Sequence, residues 1–208
     1  MISPSQLIGF VTAATILALI PGPGILFVLA QTVRGGRSAG FSSATGTAIG
    51  GMAHVLAGAV GLSAIVYSSS TVFEGAKIAG AIYLFILGYK ALRAQTVFSA
   101  EVVEAMTLRS DSIKQGIATE VLNPKTALFF LALIPQFIPT GGNIAVYFVV
   151  FGTISVALNT LADLIVVFSA NYLMRRQRRS RNPSKFFGYF ASVAYFAIGV
   201  LALKADRK

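Results

Sequence analysis

Six long apolar stretches recur along the 208-residue chain, and they limit what it can fold into. Crossing the hydrocarbon core of a bilayer takes about 20 helical residues, so each stretch is a candidate membrane span. The stretches run from Gln6 to Ala30, Gly40 to Val66, Ala76 to Ala91, Gly116 to Ile138, Ile144 to Ala170 and Phe186 to Leu203. The pattern predicts an all-α membrane protein with six transmembrane helices.

The composition supports a membrane protein without a soluble domain. Charged residues make up 12% of the chain and hydrophobic residues 55%, whereas soluble domains carry about 25% charged residues. The longest polar connection, between Arg93 and Lys114, is too short to hold a separate domain. We therefore treat residues 1–208 as a single membrane-embedded domain.

Motifs of enzyme chemistry are missing from the sequence. The chain has no cysteine, which excludes disulfides and thiolate metal sites, and it has one histidine. Gly-rich phosphate loops, nucleophile elbows and metal-binding helix motifs are also absent. We predict a protein that is not an enzyme and that uses no cofactor and no bound metal.

The basic residues indicate how the chain is oriented. Twelve Lys and Arg residues lie in the first, third and fifth connections and four on the opposite side. The densest cluster, Arg175 to Lys185, could suggest a nucleic-acid site, but its place between two spans favours a positive-inside signal near anionic headgroups. We expect no nucleic-acid partner, and both termini outside the cytoplasm.

The two halves of the chain resemble one another. "PGPGILFVLA" at residues 21–30 aligns with "NPKTALFFLA" at 123–132, and the "GT" at 46–47 recurs at 152–153. "AGAIYLFI" at 79–86 resembles "ASVAYFAI" at 191–198 in the same order. Three spans per half is an odd number, so the second half enters the membrane from the opposite side. The sequence predicts inverted three-helix repeats over about residues 1–98 and 112–208.

A proline motif interrupts the first span of each half. The interrupting residues are Pro21, Gly22, Pro23 and Gly24 in the first half, and Asn123, Pro124 and Lys125 in the second. Proline removes a backbone donor and clashes with the preceding turn, so we expect each first helix to break there. Broken backbone in a membrane needs protein or a water-filled cavity around it, and in transporters such paired breaks form the substrate site. The alternative is a plain kink without a ligand.

Polar side chains within the spans are costly in lipid and are therefore candidates for function. Lys125 could hold a substrate carboxylate, pair with an acid or extend to the headgroups. Asp163 could couple protons, contact a substrate ammonium or form a structural ion pair, and Asn159 lies one turn before it on the same face. Glu120 is a second acid or an interfacial residue, and His54 fits a hydrogen-bonded packing residue better than a proton relay.

Glycine and alanine recur at four-residue spacing within and beside the second stretch. The pairs are Gly36/Gly40, Gly46/Gly50 and the series Ala53/Ala57/Gly61. Small residues at this spacing allow helices to pack closely in lipid, which we expect to be their role. Gly22 and Gly24 are the exceptions, because backbone beside a broken helix can approach a ligand.

Three segments together resemble the LysE/RhtB family of amino-acid exporters: "PGPGILFVLAQTVRGGRSAG", "LNPKTALFFLALIPQF" and the aspartate of "LADLIVV". The resemblance covers nearly the whole chain. It implies a small bacterial inner-membrane protein that exports amino acids, driven by the proton gradient and often dimeric. Two positions differ from the family pattern, because Gly24 and Glu120 stand where Asn is common.

These observations lead to one main hypothesis of function. We expect a secondary exporter that exchanges amino acids or similar small zwitterions for protons by rocking its two halves around a midplane site. Its partners would be the substrate, protons, the lipid bilayer and a second copy in a homodimer. The alternative is an exporter of small ions or metals, and a non-transporting subunit would lack a polar cavity around the proline breaks.

Overall fold

The computed structural model describes residues 2–68, 70–93, 111–139, 141–179, 189, 192–197, 199–200 and 203, and in these the secondary structure is helical without strands. The helices are α1 (Pro4–Leu19), α2 (Pro23–Ser68), α3 (Ser70–Arg93), α4 (Ser112–Val121), α5 (Pro124–Leu133) and α6 (Ile144–Arg179). A short 3-10 helix, Ile134–Phe137, follows α5. The predicted all-α class is confirmed.

The first proline motif ends α1 and begins α2. Pro21 and Pro23 flank Gly22, and Pro23 occupies the first position of α2, where its missing N–H costs nothing. The helices on the two sides, Pro4–Leu19 and Pro23–Gly61, are bent by 48°. The break predicted here is present.

The second motif separates α4 from α5 in the same way. The Asn123 side chain caps α5 by accepting a hydrogen bond from the Lys125 backbone N–H at 3.0 Å, and Pro124 takes the first helical position. The segments Ser112–Val121 and Pro124–Phe137 are bent by 47°. Each half of the chain therefore contains one helix that is broken at a proline.

Helix α2 folds back on itself at Gly36. This residue has φ 74° and ψ −173°, a conformation that glycine adopts without a steric penalty. Thr32 contacts Gly40, and a Cβ placed on Gly24 would lie 3.8 Å from Thr47 Cγ2. A straight helix would hold Gly24 and Thr47 about 35 Å apart. The first arm of α2 (residues 23–35) and its second arm (residues 37–68) therefore form an antiparallel hairpin.

The hairpin corrects one expectation about the glycines. Gly36 was expected to serve close helix packing together with Gly40, but no atom lies within 4 Å of a Cβ placed on it. Its role is the reversal of the chain. The connection between the first two predicted spans is thus a single glycine turn rather than a loop.

The second arm of α2 packs closely on α4. A Cβ on Gly46 would lie 3.0 Å from the Gly116 Cα, and a Cβ on Gly50 would lie 2.8 Å from the Glu120 Cβ. Residue numbers rise together along this contact, so the two helices run parallel. Glycine at these positions lets the backbones approach, as close packing in lipid requires.

The same arm packs on α6 in the opposite direction. Gly51 approaches Val156 at 3.0 Å and Gly152 approaches Val55 at 2.8 Å, each distance measured from a Cβ placed on the glycine. Residue numbers fall along α6 as they rise along α2, so these helices are antiparallel. The second arm of α2 and α4 therefore run in one direction. The first arm of α2 and α6 run in the opposite direction.

An aromatic cluster forms the core between α1, α5 and α6. The Phe10 and Phe151 ring centroids are 4.5 Å apart, and those of Phe130 and Phe148 are 6.1 Å apart. Leu161, Ile165 and other large apolar residues of α6 lie exposed on the outer surface. An exposed apolar helix face of this kind suits contact with lipid.

The start of α4 is polar and lies outside the apolar spans. The Asp111 side chain caps the helix by accepting from the Lys114 backbone N–H, and it pairs with Lys114 Nζ at 2.9 Å. The hydrogen bond to the Lys114 side chain lowers the pKa of the Asp111 carboxyl. Both side chains are exposed to solvent.

Among the described residues, one helical segment, Ile144–Ala170, can cross a bilayer alone by length and composition. Each of the two bent pairs described above could supply a further span, and Ala81–Lys90 is a shorter apolar helix. Eight of the eighteen residues of the sixth predicted span, 186–203, lie outside the described residues, as does the connection 94–110. Part of that span, residues 192–197, is helical, and its Phe196 ring stacks on Phe85 of α3 with centroids 5.5 Å apart.

Candidate functional site

A small cavity lies where the two proline breaks meet. Its volume is about 30 Å³, which is enough to hold ordered water. Its walls come from α1, both arms of α2, α4, α5 and α6. The predicted residues that line it are Gly22, Gly24, Glu120, Asn123, Lys125, Asn159 and Asp163. Pro21, Pro23 and Pro124 shape the breaks without lining the cavity.

Lys125 bridges the two breaks. It lies in the first turn of α5, and its ammonium donates a hydrogen bond to the Ile20 carbonyl at 2.6 Å. That carbonyl lies just past the end of α1, where backbone oxygens lack helical partners. The side chain is only 8% exposed, so it points into the protein rather than to the headgroups. Gly22 makes room for it, because a Cβ there would lie 2.8 Å from Lys125 Cδ.

Asp163 enters the cavity from α6. It is 6% exposed, and its Oδ2 accepts a hydrogen bond from the Thr47 hydroxyl at 2.8 Å. Asn159 lines the same cavity one turn earlier, in agreement with the predicted shared face, and its amide donates to the Ser155 carbonyl. The second arm of α2 therefore positions the acid of α6.

Glu120 is buried in the last turn of α4 and lies on the cavity wall rather than on the outer surface. Its Oε1 accepts from the Thr126 hydroxyl at 2.5 Å and its Oε2 from the Asn123 side-chain amide at 3.0 Å. The Oε2 atom would lie 2.6 Å from a Cβ placed on Gly24. The absence of a side chain at residue 24 thus creates the space for this carboxylate.

His54 holds the end of α4 and does not line the cavity. Its Nε2 lies 2.9 Å from the Glu120 backbone carbonyl. A carbonyl only accepts hydrogen bonds, so Nε2 carries the proton. The ring also packs edge-on against Phe130, with centroids 6.2 Å apart. This geometry matches the hydrogen-bonded packing residue that the sequence favoured.

The cavity brings two carboxylates and one ammonium together, and their remaining bonding capacity differs. Among the described side chains, no direct ion pair joins Lys125 to Glu120 or Asp163. Lys125 uses one of its three N–H groups on Ile20, and Asp163 uses one oxygen on Thr47. Both oxygens of Glu120 are engaged. Lys125 and Asp163 therefore have the larger bonding capacity left for a ligand.

Two residues that position the acids were missed in the sequence. Thr47 was noted only as part of a repeated "GT", and Thr126 only as part of the aligned motif. Threonine hydroxyls within helices usually bond to their own helix backbone, so the sequence carries no signal for a cross-helix bond. In the structure the Thr47 hydroxyl is shared between the Ala44 carbonyl of its own helix, at 2.9 Å, and Asp163, and the Thr126 hydroxyl bonds to Glu120.

The part of the chain that the structure describes contains no group of three or more His, Asp or Glu residues arranged to hold a metal ion. The polar groups of the cavity are instead an ammonium, two carboxylates, an amide and hydroxyls. This set suits hydrogen bonding and charge pairing with a polar organic molecule.

The sequence profile of the family described as LysE type translocator matches residues 15–205. The chain belongs to the LysE-type translocator family. Members of the LysE family are transporters, so the prediction of a membrane transporter that is not an enzyme is confirmed. The resemblance drawn from the two proline motifs is confirmed as well.

Several curated relatives of this LysE-type translocator are similar over most of their length. A homoserine/homoserine lactone efflux protein of Salmonella typhi is 30% identical over 168 residues, covering 80% of this chain and 79% of that protein. A leucine efflux protein of Enterobacter sp. (strain 638) is 25% identical over 182 residues, covering 85% and 84%. The membrane protein YrhP of Bacillus subtilis (strain 168) is 29% identical, covering 85% and 88%. No solved structure gives a significant match.

Proposed function

We propose that this LysE-type translocator is a secondary exporter of amino acids or similar small zwitterions across the bacterial cytoplasmic membrane, coupled to proton entry. One observation carries the proposal: the cavity at the two breaks pairs a buried cation with a buried acid, and both have bonding capacity left. A zwitterion presents the complementary carboxylate and ammonium. Relatives that efflux leucine and homoserine support this substrate class.

Each charged group has a distinct role in this proposal. Lys125 receives the substrate carboxylate through its remaining N–H groups. Asp163 receives the substrate ammonium, or a proton when the substrate is absent. Because the ammonium and the proton compete for one carboxylate, release of substrate favours uptake of a proton. This competition produces antiport.

The helix directions support two inverted three-helix repeats around the cavity. The broken helix of the second half begins parallel to the second arm of α2, and so runs opposite to the broken helix of the first half. The cavity volume of about 30 Å³ is small for an amino acid. The halves must therefore separate on one side at a time, as rocking of one repeat against the other would allow. Lipid covers the outer faces, and a homodimer is proposed from the family resemblance.

The alternative, an exporter of small ions or metals, has less support from the cavity. The Lys125 ammonium is buried in it and would repel a bare cation at short range. The chain also lacks cysteine, so soft metals would find no thiolate. A zwitterion satisfies both signs of charge at once.

The proposal is tested with purified protein in liposomes that contain labelled leucine or homoserine. We expect release that exceeds the release from protein-free liposomes and that a proton gradient accelerates. Methylamine and divalent cations are assayed in parallel as probes without a carboxylate. Movement of a metal ion in the absence of any amino-acid movement would reverse the assignment in favour of the alternative.

The orientation proposed here places Arg175 to Lys185 in the cytoplasm and both termini outside. The natural chain has no cysteine, so a Ser180→Cys variant carries a single thiol. We expect an impermeant thiol reagent to leave it unlabelled in intact cells and to label it after permeabilisation. A cysteine at Ser3 is the matched control and should be labelled from outside. The opposite labelling pattern would invert the topology.

A further inference from the structure

Four helix ends meet at the two proline breaks. They are the C-termini of α1 and α4 and the N-termini of α2 and α5. A helix N-terminus carries a partial positive charge and a C-terminus a partial negative charge. In the low dielectric of a protein interior, these partial charges interact strongly with nearby ionised groups. The side chain that contacts each helix end therefore affects how stable the arrangement at the two breaks is.

One carboxylate lies at both N-termini. Glu120 accepts from the Asn123 amide, the cap of α5, and from the Thr126 hydroxyl in the first turn of that helix. Its Oε2 also lies against Gly24 in the first turn of α2. The two N-termini thus converge on a single anionic group, which a helix N-terminus favours.

The two C-termini have donors of their own. Lys125 donates to the Ile20 carbonyl past the end of α1 at 2.6 Å, and His54 Nε2 lies 2.9 Å from the Glu120 carbonyl in the last turn of α4. Every helix end at the breaks therefore contacts a complementary side chain, which is a carboxylate at the two N-termini and a hydrogen-bond donor at the two C-termini. At the breaks, Lys125 supplies an ammonium and Glu120 supplies a carboxylate. These are the two charged groups that a zwitterion carries.

We propose that Glu120 and Lys125 act as an internal substitute for the substrate in the empty carrier. In this closed conformation, the Glu120 carboxylate occupies the place between the N-termini of α2 and α5 that a substrate carboxylate takes when it binds. Lys125 then exchanges the Ile20 carbonyl for that substrate carboxylate. The inference rests on the proposed function, because it assumes that a zwitterion enters this cavity.

The contacts of Glu120 make such an exchange feasible. Its carboxylate is held by the Asn123 amide and the Thr126 hydroxyl, and among the described residues it forms no ion pair. Side-chain hydrogen bonds of this kind can transfer to another carboxylate without moving a helix. The space beside Gly24 is filled while Glu120 stays in place. Substrate and Glu120 therefore exclude one another from the same position.

The consequence concerns the return of the carrier after it has released substrate. In the return step no substrate carboxylate lies between the N-termini of α2 and α5. Glu120 supplies a carboxylate at that position. Net efflux requires this step in every cycle. Exchange of internal for external substrate bypasses it, because the carrier then moves loaded in both directions. Loss of the charge at residue 120 should slow net efflux and spare exchange.

The experiment compares these two fluxes in liposomes that hold the full-length protein and labelled leucine, or homoserine where wild-type protein moves it faster. For Glu120→Gln we expect net efflux into substrate-free buffer to fall about tenfold, the size of a buried charge–helix interaction, with exchange unchanged within about twofold. The pH dependence of the remaining efflux should stay that of wild type. Glu120→Asp keeps the charge and should recover net efflux at least in part.

Asp111→Asn is the matched control, since it neutralises an exposed acid of the same helix and keeps a good capping residue. It should leave both fluxes unchanged. Should Glu120→Gln fail to accumulate in the membrane, Glu120→Asn tests the same point, because it also removes the charge and Asn is the residue that is common at this position in the resembled family pattern. Equal loss of efflux and exchange, or no loss of either, would overturn the proposal. Wild-type protein that moves no amino acid would instead refute the proposed function.

Discussion

Asp163→Asn is expected to abolish proton-driven export and to retain substrate binding. Asparagine has nearly the same shape and can still accept the hydrogen bond from Thr47, but it cannot take up or release a proton. With one proton exchanged per substrate, a gradient of one pH unit supports about tenfold accumulation of substrate in wild type. The variant should reach no accumulation and should equilibrate substrate across the membrane.

The measurement uses inside-out vesicles, in which the lumen corresponds to the cell exterior. An acidic lumen drives protons outward and labelled leucine or homoserine inward in wild type. Asp111→Asn, which removes an exposed acid, should accumulate substrate as wild type does. If Asp163→Asn still concentrates substrate in proportion to the imposed gradient, Asp163 is a structural partner of Thr47 and not the coupling group.

Lys125→Met is expected to weaken substrate binding about 100-fold. Methionine keeps much of the apolar stem beside Gly22 and removes the ammonium, so the substrate carboxylate loses its cation. Truncation of one partner of a buried charged pair costs about 2–5 kcal/mol, and each 1.4 kcal/mol corresponds to about a tenfold change in affinity. The effect should appear as a raised KM for efflux, while the maximal rate falls less.

Lys114→Met is the control for this prediction, because Lys114 is an exposed lysine on α4. It should leave KM unchanged. An amine without a carboxylate, such as isoamylamine, should inhibit wild type and Lys125→Met equally, since it cannot use the ammonium. A KM unchanged in Lys125→Met would show that the lysine only caps the end of α1. The two predictions separate a coupling defect at Asp163 from a binding defect at Lys125.

The two positions that differ from the resembled family pattern lie against each other in space. Glu120 places a longer carboxylate where Asn is common, and it fills the volume that a side chain at residue 24 would need. Gly24 supplies that volume. The two differences therefore form one structural change, and a larger residue at 24 should be tolerated only with a shorter one at 120.

The sequence alone determined the class of protein, the places where its helices break and the polar residues worth considering. Each of these follows from local chemistry: the length of an apolar run, the missing N–H of proline and the cost of a charge in lipid. The same reasoning identified Glu120, Lys125 and Asp163 as candidates before their surroundings were known. It could not give their hydrogen-bond partners, because burial and bonding capacity are not local properties.

Only the tertiary structure decided which groups meet. The reversal of α2 at Gly36 brings Gly24 to Thr47, and contacts across more than one hundred positions join Lys125 to Ile20 and Thr47 to Asp163. Such pairings depend on helix direction and close packing. Sequences with the same apolar pattern can pack their helices differently and so form different pairs. The two hydrogen bonds of Glu120 and the remaining capacity of Lys125 and Asp163 follow from the way these helices pack, with glycine at the closest contacts.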